Sequence, residues 1–176
     1  EEYMKETGVA DQFLLGPEFE FYVFDEVTFA NKPNSSGFTI DGDEAFWNSG
    51  EIGSLGFQTP HQGGYHIAPP QDVAYDFRSR VAMLMENQGI KVKYHHHEVG
   101  SAQMEIEVEF GTMTEMADKT MLTKYIVKNE AVAEGKTATF MPKPVYGEAG
   151  SGMHVHMLMF KDGKPVFYDE NGYSGL

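Results

Sequence analysis

The strongest constraint on the fold of this sequence is a short run in which apolar and acidic residues alternate. Between Gln103 and Phe110 every second residue is apolar, and the intervening positions include Glu105, Glu107 and Glu109. An alternation with a period of two predicts a strand, because successive side chains of a strand point to opposite faces. The strand must therefore bury one face in a core, and the fold must provide a place for a sheet face that carries several carboxylates.

Further strands are predicted on both sides of this run. Asp162-Gly163 has the composition of a hairpin turn, whereas the segment 26–64 is dense in Gly, Asn, Ser and Asp. We therefore predict that 26–64 is a long excursion with at most short strands. Aromatic and aliphatic residues predict strands at four further places: 13–24, 90–94, 137–141 and 153–157.

Two helices are predicted. The first follows Pro69-Pro70, runs for about five turns and ends at Gly89. The second begins at Thr112, which has capping-box spacing with Glu115, and ends near Gly135. The apolar residues that define the first helix recur at helical spacing: Val73, Phe77, Val81 and Leu84.

Strands outnumber helices in this prediction, and the helices do not alternate strictly with the strands. This order favours an α+β fold, with helices packed on one side of a mostly antiparallel sheet, over a doubly wound parallel fold. A chain of 176 residues is long enough for one domain, or for a large piece of one.

Composition narrows the classes of function. The formal net charge of -14 argues against nucleic acid or an anionic membrane as the main partner, because the average surface would repel either. The sequence contains no cysteine, which excludes disulfides, thiolate metal sites and cysteine nucleophiles. It also has no apolar run of membrane-spanning length and no signal-peptide pattern at Glu1, so we expect a cytoplasmic protein.

Two more carboxylates share one face of the long strand predicted at 13–24. Glu18 and Glu20 are two positions apart, so their side chains leave the strand about 7 Å from each other. One interpretation is the solvated face of an edge strand. The other is that the two acidic strands converge. Closely packed carboxylates would then raise one another's pKa unless a cation compensated them.

Histidines accompany the acidic residues. Glu98 directly follows a run of consecutive histidines, and His154 and His156 share a strand face after a glycine-rich turn. Within the run, strand alternation lets His95 and His97 point together, where they would hydrogen-bond the carboxylates. A single strand histidine is more often structural. Oxygen and imidazole ligands together favour magnesium or manganese as the compensating cation.

These residues lie in segments that resemble the signatures of bacterial-type glutamine synthetases. The segments occur in the order of that family and over nearly the whole chain, and the stretch at 136–144 followed by Gly-Ser-Gly-Met-His is the most specific of them. The matching segments are GPEFEF (16–21), GGY (63–65), HHEV (96–99), QME (103–105), KTATFMPKP (136–144) and GSGMH (150–154).

The resemblance implies a curved, mostly antiparallel sheet with flanking helices. It also implies an ATP-dependent reaction in which the γ-carboxylate of glutamate is phosphorylated and ammonia then attacks the acyl phosphate, giving glutamine. By the same resemblance, Glu20, Glu98 and Glu105 hold one divalent magnesium or manganese ion. Glu18 and His154 hold the second.

The resemblance also implies places for the substrates. Gly150 lines the glutamate site, Phe110 lies near the adenine of ATP, and His156 lies near the ATP phosphates. Glu107 and Glu109 have no role in the family, and we expect them to be solvated or sheet-face residues. A full-length relative is expected to act on glutamate, ammonia and ATP and to form a ring-shaped homo-oligomer.

Three departures from the family pattern keep alternatives open. Ala149 replaces an Asn beside the glutamate-binding glycine, Leu158 replaces a Ser, and Ala102 replaces a Gly. The change at Ala149 permits a related ligase that joins glutamate to another amine. A noncatalytic metal-binding remnant is the alternative from a different class of protein.

The resemblance covers only part of the family's catalytic unit. We expect residues 1–176 to form a partial catalytic domain, without the small N-terminal domain and without the C-terminal half of the catalytic domain. Because both missing parts supply active-site residues in the family, we expect this chain alone to be catalytically inactive.

Overall fold

The computed structural model describes residues 1–51 and 56–175. Most of its strands belong to one antiparallel sheet. In chain order the elements are α1 (Glu2–Thr7), β1 (Gln12–Phe24), β2 (Glu26–Lys32), β3 (Ser35–Asp41), α2 (Tyr75–Asn87), β4 (Val92–His97), β5 (Gln103–Val108), β6 (Gly111–Thr112), α3 (Met113–Ala133), β7 (Thr137–Thr139), β8 (Val155–Lys161), β9 (Lys164–Pro165) and a 3-10 turn at Tyr173–Gly175.

The central strand of the sheet is β1, which confirms the strand predicted at 13–24. Its first part pairs with β8, where Gln12 lies opposite Phe160, and its second part pairs with β5, where Glu20 lies opposite Glu105. The strand order is β4-β5-β1-β8-β9, and the short strands β6 and β7 also pair with β1. All these pairings are antiparallel. The predicted α+β fold with a curved, mostly antiparallel sheet is therefore confirmed.

Helices α2 and α3 cover one face of this sheet. Phe19 and Phe21 of β1 and Met104 and Ile106 of β5 point to this side, and each is at most 2% exposed. They form one apolar cluster with helix residues such as Val127. The alternation of apolar and acidic residues therefore has the predicted consequence, because the apolar half faces the helices and the acidic half faces away from them.

The segment after β1 contains more regular structure than its composition indicates. Strands β2 and β3 form a hairpin in which each strand has 7 residues, in register from Glu26 opposite Asp41 to Lys32 opposite Ser35. The prediction of at most short strands was wrong here, because small and polar residues around the turn conceal the β-forming residues on either side. The prediction for 52–55 falls outside the described residues.

Helix α2 is shorter than predicted. It has 13 residues, which is between three and four turns rather than about five. Val73 precedes the helix and Leu84 stays 40% exposed, while Arg78 and Met85 occupy buried positions. Strand β4 also begins and ends later than the predicted strand at 90–94, because it continues through the histidine run in its pairing with β5.

The remaining elements agree with the sequence more closely. Helix α3 begins after Thr112 and ends before Gly135, as predicted. Asp162 and Gly163 form the turn between β8 and β9. Among the described residues, no helix combines the length and the apolar composition that crossing a membrane requires.

Candidate metal centre

The register of three strands brings the acidic residues together on the sheet face that lies away from the helices. Glu18 lies opposite Glu107 and Glu20 lies opposite Glu105 in the pairing of β1 with β5. On the other side of β5, His96 of β4 lies opposite Glu105. Directly opposed residues of antiparallel strands have Cβ atoms about 4.5–5.5 Å apart. The carboxylates that alternation placed on separate strands thus form one compact group.

Strand β8 and the residue before it add histidines to this group through β1. The backbone N–H of Glu18 donates to the carbonyl of His154 at 2.9 Å, and His156 lies opposite Gly16. His154 Nδ1 is 2.9 Å from Glu18 Oε2 and 3.7 Å from Glu20 Oε1. His156 Nε2 is 2.5 Å from Glu18 Oε1. Glu18 is therefore held by one imidazole on each of its oxygens.

These contacts stabilise opposite charges on the two kinds of residue. Burial raises the pKa of the Glu18 carboxyl, but the hydrogen bonds from His156 and His154 outweigh it and hold the pKa below its ordinary value. The hydrogen bond with Glu18 and the charge of Glu20 raise the pKa of His154. This end of the group therefore favours the ionised form of Glu18.

The other end of the group is built around the turn after β4. Glu98 lies in this turn, and its Oε2 accepts the backbone N–H of Val99 at 2.7 Å. His96 Nε2 is 3.3 Å from Glu105 Oε2, and His96 Nδ1 is 3.9 Å from Glu98 Oε1. One ligand atom from each of His96, Glu98 and Glu105 lies within 4.8 Å of the others.

Glu105 shows the electrostatic consequence of this packing. Burial, a hydrogen bond with Glu98 and the charges of Glu98, Glu18 and Glu20 raise the pKa of Glu105 well above its ordinary range. A positive charge among these carboxylates would oppose this rise in the pKa of Glu105 and favour its ionised form. A divalent cation would supply that charge.

The loop before β8 closes one side of the acidic face. The backbone N–H of Gly152 donates to Glu20 Oε2 at 2.9 Å, and Gln103 Nε2 donates to the carbonyl of Gly150 at 3.0 Å. The hydroxyl of Tyr22 donates to the carbonyl of Ala149 at 2.5 Å. Gly150 is thus fixed beside the carboxylates. A Cβ at Gly150 would lie 3.0 Å from the carbonyl oxygen of Pro142, so a side chain there would fit only if this neighbour moved by a few tenths of an ångström.

Phe110 and His156 lie together at the β8 side of the acidic face. Their ring centroids are 6.4 Å apart. Phe110 also covers Gly16, where a Cβ would meet its ring at 3.4 Å, and it stays 39% exposed. The two residues that the resemblance assigns to ATP are therefore neighbours with solvent-accessible rings, next to Glu18.

The prediction that His95 and His97 hydrogen-bond the carboxylates of the acidic face was wrong. His95 and His97 do point together, but away from the acidic face, because His95 accepts a hydrogen bond from Arg78 at 3.3 Å and His97 pairs with Glu44 at 2.6 Å. His96 is the residue of the run that reaches the carboxylates. Alternation alone could not decide between these two faces, because it does not give the register of β4 on β5.

Glu107 is a sheet-face residue, which was one of the two predicted options, and at 2% exposure it is not solvated. Its Oε1 accepts from Lys93 at 2.6 Å, and one of its oxygens lies within 4.8 Å of ligand atoms of Glu18 and His156. Glu109, in contrast, is exposed. The alternation that identified Glu105 already placed Glu107 on the same face.

The donor set of this face fits a hard divalent cation. It consists of carboxylate oxygens with a few imidazole nitrogens, which suits magnesium or manganese. Two groups of donors lie close enough to share an ion: Glu18, Glu107 and His156, and His96, Glu98 and Glu105. Glu20 lies between them, and its oxygens contact Gly152 and His154. All five residues to which the resemblance assigns a metal are on this face.

Comparison with known proteins places this geometry in a family. The family model described as the glutamine synthetase catalytic domain matches residues 1–176. Glutamine synthetase of Streptomyces coelicolor is 48% identical over the whole chain, and that of Vibrio cholerae is 49% identical. The chain spans only 38% of the length of either relative.

A solved structure agrees with the sequence comparison. Plasmodium falciparum glutamine synthetase matches 97% of this chain with a TM-score of 0.90 and 28% sequence identity, and the match covers 34% of that protein. The fold described above is therefore similar to a part of that protein. This chain belongs to the glutamine synthetase catalytic-domain family.

Proposed function

We propose that the acidic face is the metal centre of an ATP-dependent ligase that joins ammonia to glutamate and releases glutamine. The proposal concerns a protein that includes the remaining part of the catalytic unit, because the chain spans 38% of its relatives. The observation that carries it is the register in which Glu20, Glu105 and His96 lie side by side across three strands. Family membership supplies the reaction.

In this proposal, Glu20, Glu98 and Glu105 hold one divalent cation, while Glu18 and His154 hold a second. A bound magnesium or manganese ion supplies charge neutralisation for the phosphoryl group transferred from ATP. The protein's own contribution is positioning. Three strands and the turn after β4 fix the carboxylates at short distances from one another, so little reorganisation is needed when the charge of the substrates changes.

The substrates are assigned to the edges of the same face. Phe110 and His156 are proposed to contact the adenine and the phosphates of ATP, and Gly150 is proposed to contact glutamate. The exposed rings of the first two and the steric constraint at Gly150 support this assignment. Assembly into a ring-shaped homo-oligomer and a cytoplasmic location remain predictions that accompany the proposal.

A manganese titration of single variants tests the metal assignment. Glu105→Ala removes a buried donor of the first site, so calorimetry is expected to show the loss of one manganese site. His154→Ala is expected to keep that site largely intact. Glu109→Ala is the matched control, because this glutamate is exposed and belongs to neither donor group. Equal losses in Glu105→Ala and His154→Ala would contradict the assignment.

A second candidate function follows from one position. Ala149 stands in the loop that closes the acidic face, and its carbonyl accepts a hydrogen bond from the hydroxyl of Tyr22. The absence of an amide side chain there leaves a glutamate-amine ligase, of the kind that accepts a polyamine, as the alternative. Comparing ammonia with polyamines as acceptors for the full-length protein separates the two. An absence of ATP hydrolysis with every acceptor would favour the noncatalytic remnant instead.

We expect the chain 1–176 alone to lack ligase activity. Positioning requires every substrate contact at once, and the chain accounts for about a third of the solved relative. The measurement is the release of phosphate and of glutamine by the purified chain with ATP, glutamate, ammonia and manganese. Turnover above the rate of a Glu105→Ala variant would contradict this expectation.

A further inference from the structure

The loop before β8 contains one acidic side chain that is buried, although the residues just before it are exposed. Glu148 is 2% exposed, whereas Tyr146 and Gly147 lie at the surface. A buried carboxylate is costly unless a cationic or hydrogen-bonding group compensates it. The burial of Glu148 in an otherwise open loop therefore requires a partner from another part of the chain.

That partner is His61. Its Nδ1 lies 3.0 Å from Glu148 Oε1, and the edge of its ring contacts Phe46, with ring centroids 5.4 Å apart. The second oxygen of Glu148, Oε2, is buried and has no hydrogen-bond partner among the residues that the structure describes. The burial of this carboxylate therefore depends on His61. The neighbouring Gln62 adds a second contact between the same two segments, because its Nε2 donates to the carbonyl of Gly147 at 3.2 Å.

The segment around His61 is also attached to the turn after β4, which belongs to the metal centre. Ser101 Oγ donates to the carbonyl of Thr59 at 3.3 Å, and the N–H of Gly64 donates to the carbonyl of Val99 at 3.0 Å. These two contacts lie on either side of His61 in the sequence. The segment thus links the turn after β4 to the loop before β8.

A single residue separates Glu148 from Gly150. The carbonyls of Ala149 and Gly150 accept hydrogen bonds from Tyr22 and Gln103 of the sheet. The sheet therefore fixes this part of the loop from one side, and the buried side chain of Glu148 fixes the backbone that enters it. Movement of that side chain into solvent would displace the backbone directly before Gly150.

We propose that the contact between His61 and Glu148 positions the loop so that Gly150 can contact glutamate. This inference rests on the proposed function, and it applies to ammonia and to a polyamine as acceptor, because glutamate is a substrate in both reactions. His61 and Glu148 are positioning residues, since neither is assigned to a metal or a substrate. Loss of the contact should impair the use of glutamate more than that of ATP, because Phe110 and His156 lie together at the β8 side of the acidic face.

Steady-state kinetics of the full-length protein test this difference between substrates. His61→Ala should raise the KM for glutamate about tenfold and change the KM for ATP less than about twofold, because the displaced loop positions one substrate only. His61→Asn should restore most of the loss, since its amide N–H can donate to Glu148 in place of Nδ1. Tyr146→Ala is the control in the same loop, because this side chain is fully exposed, and it should leave both values unchanged. Equal increases for glutamate and ATP, or equal losses in His61→Ala and His61→Asn, would overturn the proposal.

Hydrogen exchange of the full-length protein separates this inference from the proposed function, because the measurement needs no turnover. His61→Ala should accelerate amide exchange several-fold in a peptide that covers 143–152, where the N–H of Ser151 donates to the carbonyl of Pro142 at 2.8 Å. Adding Glu148→Gln to His61→Ala should cancel part of this effect, because the buried side chain then has no charge to compensate.

The two measurements together give distinct outcomes. If exchange in 143–152 is the same in the wild type and in His61→Ala, the contact does not hold the loop, and the inference is wrong whatever the activity. Faster exchange without a change in the KM for glutamate, in an active wild type, would overturn the inference and leave the proposed function in place. A wild type that does not act on glutamate would reject the proposed function and, with it, the assignment of this loop to glutamate.

Discussion

Gly64 occupies a position where the backbone beside the metal centre leaves no space for a side chain. A Cβ on Gly64 would lie 2.4 Å from the carbonyl oxygen of Glu98 and 2.6 Å from Cε1 of His97. The N–H of Gly64 also donates to the carbonyl of Val99 at 3.0 Å. The segment that contains Gly64 is therefore packed directly against the turn that presents Glu98.

We predict that Gly64→Ala displaces this turn and weakens manganese binding. Overpacking of this kind costs about 1–3 kcal/mol of folding free energy. Urea unfolding and a manganese titration measure the two effects. Gly37→Ala is the matched control, because a Cβ at that glycine meets nothing within 4 Å. If both variants bind manganese like the wild type, Glu98 is not held in place by Gly64.

Asp41 gives a prediction about acid stability that is independent of the metal centre. Burial raises the pKa of this carboxyl, but hydrogen bonds from the hydroxyl and N–H of Ser49 and from the N–H of Gly42 outweigh burial and lower it. The folded protein therefore holds the ionised form more strongly than the unfolded chain does. Its contribution to stability is present above the ordinary pKa of 3.8 and is lost as the pH falls through the lower folded value.

We therefore expect Asp41→Asn to be less stable than the wild type at pH 6, with the difference shrinking below pH 3.8. The measurement is the free energy of urea unfolding of both proteins across this range. Comparing the two proteins at each pH removes the contribution of the other carboxyls. A difference that stays constant with pH would mean that the hydrogen bonds to Asp41 do not depend on its charge.

At the scale of elements, local sequence patterns predicted the strands and helices themselves more reliably than the pairing between strands. The alternation in β5 correctly predicted that Glu105 shares a face with Glu107. It could not predict that Glu18 lies opposite Glu107, or that His96 and not His95 faces them. Register depends on contacts between distant segments, so it has no signal within one strand.

The end of α3 is the element whose geometry is most clearly specified by its sequence. The N–H of Gly135 donates to the carbonyl of Val132 at 3.0 Å, and the N–H of Lys136 donates to the carbonyl of Ala131 at 2.7 Å. This is the Schellman pattern, and it requires a left-handed residue, here Gly135 with φ 73°. The same turn directs Lys136 to its ion pair with Asp25.

We predict that Gly135→Ala lowers the free energy of unfolding by about 1–2 kcal/mol through the left-handed conformation alone. A Cβ at Gly135 meets nothing within 4 Å, so steric contact does not contribute. Gly135→Asn should cost less, because Asn tolerates this conformation better than Ala. Chemical denaturation of the three proteins checks this order. Equal losses for Ala and Asn would indicate that the backbone conformation is not the cause.

At the scale of the whole molecule, the sheet has one apolar face against α2 and α3 and one acidic face away from them. The chain carries a formal net charge of -14, and several of its carboxylates are concentrated on that face. Sequence alone predicted the acidic face, which the strand pairing confirms, whereas the compensating cation stays a prediction. The grouping of its donors, with His96 and Glu107 included, became visible only in the folded chain.

This concentration of charge predicts that manganese stabilises the entire fold. A ligand that binds only the folded state adds about 2.7 kcal/mol to the free energy of unfolding at a concentration of 100 times its dissociation constant.

We expect Glu105→Gln to have effects of opposite sign in two conditions. Without metal, the variant should unfold at a higher temperature than the wild type, because it removes a buried carboxyl whose ionisation is opposed by Glu98, Glu18 and Glu20. Manganese should raise the unfolding temperature of the variant much less than that of the wild type, because the variant has lost a metal donor. Thermal unfolding in a chelator and in excess manganese measures both effects, with sodium chloride at equal ionic strength as the control for screening. If sodium chloride stabilises the wild type as much as manganese does, the acidic face responds to screening and does not bind a specific cation.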